Sequence, residues 1–217
     1  MKKILSKINK ELIFNIIIVL IVIALYIAVA SFFYSDFSER KRKDIANSII
    51  EKIDKQIKEL NDAKDLEKDL PVKVVPPKEI SAEYNGVNYT VIGKIKIDKI
   101  GIYDPILKEN TKGSLDASAV KIAGPDLNSN GNVVIGGHNY MKGNFFIKIN
   151  KLRQNDKITI TDLSGKSVDY YVYDYNVTSI DDASYLAQPN NEEDKILTLV
   201  TCTKGGKQRY YVKAKAK

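Results

Sequence analysis

The 217-residue chain has no tryptophan, a single cysteine and a single histidine. One cysteine leaves an unpaired thiol, and one cysteine with one histidine cannot build a usual zinc site. No Gly-x-Ser-x-Gly elbow is present, and a serine-based triad would have to draw on that same histidine, His138. There is no internal repeat, no low-complexity tract and no ligand-spaced loop of the EF-hand kind. Lysine and arginine number 34 against 27 acidic residues, a net charge of +7, but they are scattered along the chain. The scatter makes the charge weak evidence for any partner; an exported basic chain would meet anionic lipid or wall polymer rather than nucleic acid. Missing tryptophan with 13 tyrosines fits a β-rich surface domain.

Residues 12–33 form an apolar run broken only by Asn15 and Ser31, and about 20 such residues span a bilayer. Lys2, Lys3, Lys7 and Lys10 precede it and favour an N-terminus inside the cell, although Arg40-Lys41-Arg42-Lys43 makes the outer flank basic too. Ala28-Val29-Ala30 resembles a cleavage site, but the run exceeds the usual signal-peptide core. The expectation is a cytoplasmic N-terminus over 1–11 and an uncleaved single-pass anchor over 12–34, with the remainder extracellular. Residues 35–70 are dense in charge, and Ile45, Ile49, Ile53, Ile57 and Leu60 recur at helical spacing. They read as a charged helical stalk that acts as a spacer; the sharper alternatives are self-association or docking onto the next domain. Pro71, Pro76 and Pro77 make 71–83 a stiff linker.

From residue 84 the pattern changes to short strands. Eight strand-like runs, at 89–97, 104–107, 119–122, 132–136, 157–161, 167–177, 195–201 and 209–214, are punctuated by Gly, Asn, Asp and Pro. Eight strands without long helices between them predict an all-β domain over 84–217, a closed antiparallel barrel or a sandwich.

The cysteine, Cys202, ends one of these runs. Gly205-Gly206 then reads as a hairpin turn into the run from Arg209. Counting outward, Lys204 faces Lys207, Thr203 faces Gln208 and Cys202 faces Arg209, with Cβ atoms about 4.5–5.5 Å apart. A nearby cation favours thiolate, the reactive form. Cleaving an amide needs a nucleophile, an acid for the leaving amine and a stabiliser for the oxyanion. Cys202 fits the first role and His138 the second. Arg209 can donate hydrogen bonds to developing negative charge without losing its own.

Thr198-Leu199-Val200-Thr201-Cys202, an arginine seven positions later and an upstream Gly137-His138 resemble the signature of the sortases, membrane-anchored cysteine transpeptidases of Gram-positive bacteria. The resemblance covers residues 91–214. The stretch 92–107 resembles the family's first strands, with Asp98 where proline is common. It selects the barrel: a closed eight-stranded sortase-type β-barrel with short helices, preceded by the transmembrane helix and stalk. It implies attack by Cys202 on the Thr carbonyl of an LPXTG-like sorting signal, a thioacyl-enzyme, and transfer of the surface protein to an amine of the cell wall precursor. His138 and Arg209 take the family's acid and substrate-positioning roles. Thr201, Asn139 and Thr203 are expected to line the substrate pocket, and residues 178–194 to grip the signal.

No cofactor is expected. Some relatives bind calcium near this loop, but Asp181, Asp182, Glu192, Glu193 and Asp194 read here as solvated turn residues. The 138–202 interval has no room for the extra helix of class B. No second apolar segment follows Arg209 and no long lid precedes the barrel, against class C; Asp104-Pro105 reads as structural. That leaves class D, with a class A-like enzyme second. Two rivals remain: a cysteine peptidase with water as acceptor, and a non-catalytic surface β-barrel with an inert Cys202.

Overall fold

A computed structural model describes residues 10–66, 77, 79–139, 146–203 and 205–217. Lys2, Lys3, Lys7, Pro71, Pro76 and Lys204 lie outside the described residues. The chain divides into two units, residues 1–41 and 42–217. Helix α1 is assigned to Lys10–Leu66. In the first unit its apolar side chains, Leu12, Phe14, Ile16 and onward to Phe33, are exposed, in a span long and apolar enough to anchor the chain in a membrane.

In the second unit nine strands follow: β1 (Ile80–Tyr84), β2 (Val87–Ile97), β3 (Ile102–Leu107), β4 (Ala119–Ala123), β5 (Gly131–Gly136), β6 (Lys157–Asp162), β7 (Ser167–Ser179), β8 (Lys195–Cys202) and β9 (Gln208–Ala216). Eight of them close a barrel in the order β2-β3-β4-β5-β8-β9-β7-β6, with β6 returning to pair with β2. β1 is a ninth strand, added antiparallel to the start of β2 inside the segment expected as linker. Closure happens at Gly93, which faces Ile106 of β3 and Asp162 of β6. A Cβ there would sit 2.5 Å from the Thr161 carbonyl oxygen and 2.6 Å from Leu127, so the strands can meet only around a glycine. The all-antiparallel expectation is corrected at two places: β3–β4 and β5–β8 are parallel. A short helix, α2 (Lys112–Ala117), makes the first crossover, and β6, β7 and the chain after them make the second.

Two apolar cores result. Inside the barrel, Ile95, Ile106, Ile135, Phe146, Leu197, Leu199 and Val212 pack together. Outside it, Ile49 and Ile53 of α1 pack with Ala82, Val91, Leu107, Ala117, Val120 and Leu163. A bulge between Val91 and Gly93 lets β2 feed both cores, because an extra residue re-aims the side chains that follow. The isoleucine stripe of α1 is therefore docked, and the spacer reading of residues 42–66 is corrected. Arg42 Nη1 donates to Asp104 Oδ1 at 2.7 Å with both side chains about nine-tenths buried, and Lys94 pairs with Asp54.

Ile53 is fully buried. Ile53→Ala is expected to destabilise residues 42–217 by about 2–5 kcal/mol, as large-to-small core changes do, read as a lower denaturant midpoint. A solvated spacer would show no shift.

Candidate active site

Alternation along the strands decides which side chains share a face. Val133 and Ile135 of β5, Leu197 and Leu199 of β8, and Val212 and Ala214 of β9 point into the barrel. Gly136, Val200, Cys202 and Arg209 therefore lie on its outer face, and so does His138, two residues past Gly136. The register Gly136↔Val200 across the parallel pair brings His138 level with Cys202, and Cys202↔Arg209 is paired directly. Histidine, cysteine and arginine thus form a lateral row across three adjacent strands about 4.8 Å apart, with the thiol in the middle. Gly205 and Gly206 have φ of +83° and +72°, the left-handed values a primed hairpin turn requires, and Thr203 N donates to Gln208 O at 3.0 Å.

The loop after β5 is tied to β8. Gly137 N donates to Val200 O at 3.2 Å, Thr201 Oγ1 to Gly137 O at 2.7 Å, and Asn139 Nδ2 to Cys202 O at 2.6 Å. Thr201 is buried on the interior face. Two of the three side chains expected to line the substrate pocket, Thr201 and Asn139, thus tie the chain on either side of His138 to the end of β8. Thr203 follows β8 as the first residue of the turn, half-buried.

Cys202 is a free, half-buried thiol. Arg209 Nη1 donates to the carbonyls of Gly206 and Gln208 at 3.3 and 3.4 Å, which leaves other donors of its fork for a ligand. His138 keeps about a fifth of its side chain exposed (22 %), with Nε2 3.3 Å from Asp116 Oδ1. Burial pushes its pKa below the ordinary value; Asp116 opposes this and Lys112 adds to it.

Sequence reasoning missed α2 and with it Asp116. Its signal was a capping box: Thr111 Oγ1 accepts from Ser114 N at 3.2 Å, and Ser114 Oγ accepts from Thr111 N at 2.9 Å. It also missed Asn132, whose side chain donates to the carbonyls of Tyr185 and Ala187, both at 3.0 Å, and accepts from Thr198 Oγ1 at 2.8 Å. Gln188 Oε1 accepts from Asn132 N at 2.7 Å. Tyr185 stacks on Tyr211, centroids 6.0 Å apart. These bonds lay residues 185–188 against the outer face of β5 and β9. Among the described residues, no group of three or more His, Cys, Asp or Glu is arranged to hold a metal ion.

Comparison with known proteins agrees with this geometry. The sortase domain family matches residues 95–217. Sortase A of Bacillus anthracis is 26% identical over 212 residues, covering 94% of both chains. The structure of a Clostridium perfringens Sortase D5 transpeptidase is 30% identical, with a TM-score of 0.56 over 82% of this chain and 99% of that one. Sortase A of Listeria monocytogenes shares the fold, with a TM-score of 0.53 and 23% identity over 58% of this chain and 87% of that one. The chain belongs to the sortase family.

Asn132→Ala is expected to loosen the loop it holds. Amides of 183–189 should exchange faster with solvent and KM for a peptide substrate should rise several-fold, with kcat less affected. The loss of a buried bonded partner costs about 1–3 kcal/mol. Unchanged exchange would remove the loop's anchoring from Asn132.

Proposed function

We propose that this sortase, a cysteine transpeptidase of cell-wall sorting, uses Cys202, His138 and Arg209 as its reacting groups, and that it acts on LPXTG-like signals at the outer face of the membrane. The observation that carries the assignment is the lateral row of the three side chains on one face of β5, β8 and β9. Cys202 thiolate attacks the Thr carbonyl carbon of the signal, and the oxygen takes the negative charge. Arg209 donates to that oxyanion from a planar fork that cannot be deprotonated in proteins. As the tetrahedral adduct collapses, the Thr–Gly bond breaks and His138 gives its proton to the leaving amine. The thioacyl-enzyme remains. An amine of the cell wall precursor then loses a proton to His138, attacks the thioester and expels Cys202 thiolate, forming the new amide.

The lowered pKa of His138 supports a neutral resting imidazole, so that thiolate and imidazolium coexist in a minority of molecules, as the family resemblance implies. The anchoring of Tyr185 and Ala187 on the same outer face as Cys202 supports a role for residues 178–194 in gripping the signal. Lysines before the apolar span support an inside N-terminus, which puts the catalytic domain outside with its exported substrates. The Sortase D5 match over nearly its whole length supports class D, and the Bacillus anthracis match keeps a class A-like enzyme as the second reading.

We infer no calcium requirement, because the loop carboxylates serve as turn partners. Asp182 accepts from Ser184 N at 2.8 Å, and Asp194 pairs with Lys215 at 2.7 Å. Equal turnover with and without chelator is expected; a clear loss on chelation overturns this.

The test is mass spectrometry of residues 42–217 with an LPXTG-type peptide library and candidate amines. A Thr-linked adduct on Cys202 that passes to an amine is expected, and is absent in Cys202→Ala. Arg209→Lys should lower kcat/KM by about 10²-fold or more, the scale of a lost oxyanion donor. Free Thr carboxylate as the sole product would favour the peptidase. Full turnover in Arg209→Lys would remove the oxyanion role.

A further inference from the structure

Two charged residues of α2 stand at the site without a part in the reaction just described. Asp116 Oδ1 lies 3.3 Å from His138 Nε2, and Asp116 Oδ2 accepts from Lys112 Nζ at 2.9 Å. Nε2 is sealed from solvent and meets Asp116 as a close charge contact outside hydrogen-bond geometry, although a fifth of the side chain is exposed (22 %). Any proton exchanged with substrate must therefore pass through the other ring nitrogen, Nδ1. A neutral imidazole carries one N–H, and the partner of that nitrogen selects the tautomer.

We propose that Asp116 is a positioning residue of His138. Its charge favours the proton on Nε2 and leaves Nδ1 to exchange protons with Cys202, the leaving amine and the incoming amine. This rests on His138 being the acid of the reaction. Once His138 is protonated, the same carboxylate stabilises the imidazolium beside the thiolate, so Asp116 raises the share of molecules in the reactive ion-pair form.

The carboxylate is held where the role needs it. The capping box fixes the first turn of α2, and Ser114 Oγ also reaches the carbonyls of Glu109 and Thr111. At the other end Ser118 Oγ donates to Pro105 O at 2.6 Å. Ala117, next to Asp116, is buried in the outer core with Ile49 and Ile53 of α1. Among the described residues, the charged or titratable groups near the ring are Asp116 and Lys112 from α2, Cys202 from β8, and Arg209 one strand further on β9. Asp116 in turn faces Tyr84 of β1. Lys112 opposes Asp116, since its charge disfavours the imidazolium that Asp116 favours. Changes at the two positions should therefore move His138 in opposite directions, which loss of packing alone would not do.

The test uses the full chain in detergent micelles with ¹⁵N-labelled histidine; one histidine in the sequence makes its ring signals unambiguous. Wild type is expected to show the Nε2–H tautomer. Asp116→Asn should lower the His138 pKa and shift the tautomer toward Nδ1–H. It should also reduce kcat/KM about tenfold for each pH unit by which the acid limb of its profile moves down, since the reactive fraction follows the imidazole pKa. Asp116→Glu should recover most of each effect, and Lys112→Met should raise the pKa. If Asp116→Asn leaves the ring signals and the acid limb in place, the proposal is wrong, whether or not activity falls; a fall alone would mean structural support. The ring signals need no substrate. A wild-type chain that shows them but transfers nothing would therefore count against the transpeptidase reading and not against the Asp116–His138 contact.

Discussion

The parallel pairing of β5 with β8 is the constraint on which the site depends. His138 lies two residues past the end of β5, and Cys202 is the last residue of β8. Parallel strands end at the same side of a sheet. In an antiparallel pair of six residues the two ends would be about 20 Å apart, too far for proton transfer. Parallel neighbours also require a crossover, and here the crossover carries β6, β7 and the loop 180–194. That loop returns along the outer face, where Asn132 of β5 binds it at Tyr185 and Ala187. One topological choice thus brings His138 and Cys202 together and carries the loop back across the same face.

The second constraint is the outer core, which places α2. Residues 42–66 of α1 cover β2, β3 and β4 and press on Ala117, so a helix that the sequence offers as a stalk is part of the catalytic domain. The Arg42–Asp104 pair fixes its register. Burial pushes the Asp104 carboxyl up and Arg42 pulls it back, with burial the larger effect. Such a pair adds little net stability, because removing two charges from water costs about what their attraction returns. It does make any other register of α1 on β3 expensive, since a shift would leave a buried charge without its counter-ion. Asp104-Pro105 is structural in this sense: the carboxylate holds α1, and the proline carbonyl holds Ser118 at the end of α2.

Much of this was legible where local chemistry decides the structure. Eight strand runs follow from alternation and turn residues, and each corresponds to a strand of the barrel. The Cys202–Arg209 register follows from two glycines and counting. What escaped depends on non-local packing. β1 is a short, mixed run, Ile80-Ser81-Ala82-Glu83-Tyr84, that becomes a strand through its partner β2. α2 has six residues, below the length at which helical periodicity shows. Pairing direction leaves no trace in a strand's own pattern, so β5–β8 could not be called parallel from sequence. The isoleucine stripe of α1 announced an apolar face but not its occupant, because a helix face packs equally well on a second helix or on a sheet. Thr201 and Asn139 adjoin Cys202 and His138 in sequence, and their bonds to the carbonyls of Gly137 and Cys202 depend on the β5–β8 pairing, which no local pattern announces.

The Gly205-Gly206 turn carries a chemical consequence that a loop of other length could not. Side chains alternate in direction along β8 and β9, so Thr201 points into the barrel while Cys202 points out. Arg209 shares the outer face only because the hairpin closes at Thr203 and Gln208. A slip of one residue in β9 would set Tyr210 opposite the thiol and turn the guanidinium toward the interior. The interior resists that slip, because Val212 and Ala214 fill the barrel with Leu197 and Leu199 and would be exchanged for Tyr211 and Lys213. The turn needs left-handed backbone at two consecutive residues, a conformation that costs glycine almost nothing and other residues about 1–2 kcal/mol each. Core packing and turn geometry therefore enforce the same register, and that register sets an arginine beside the only thiol in the chain.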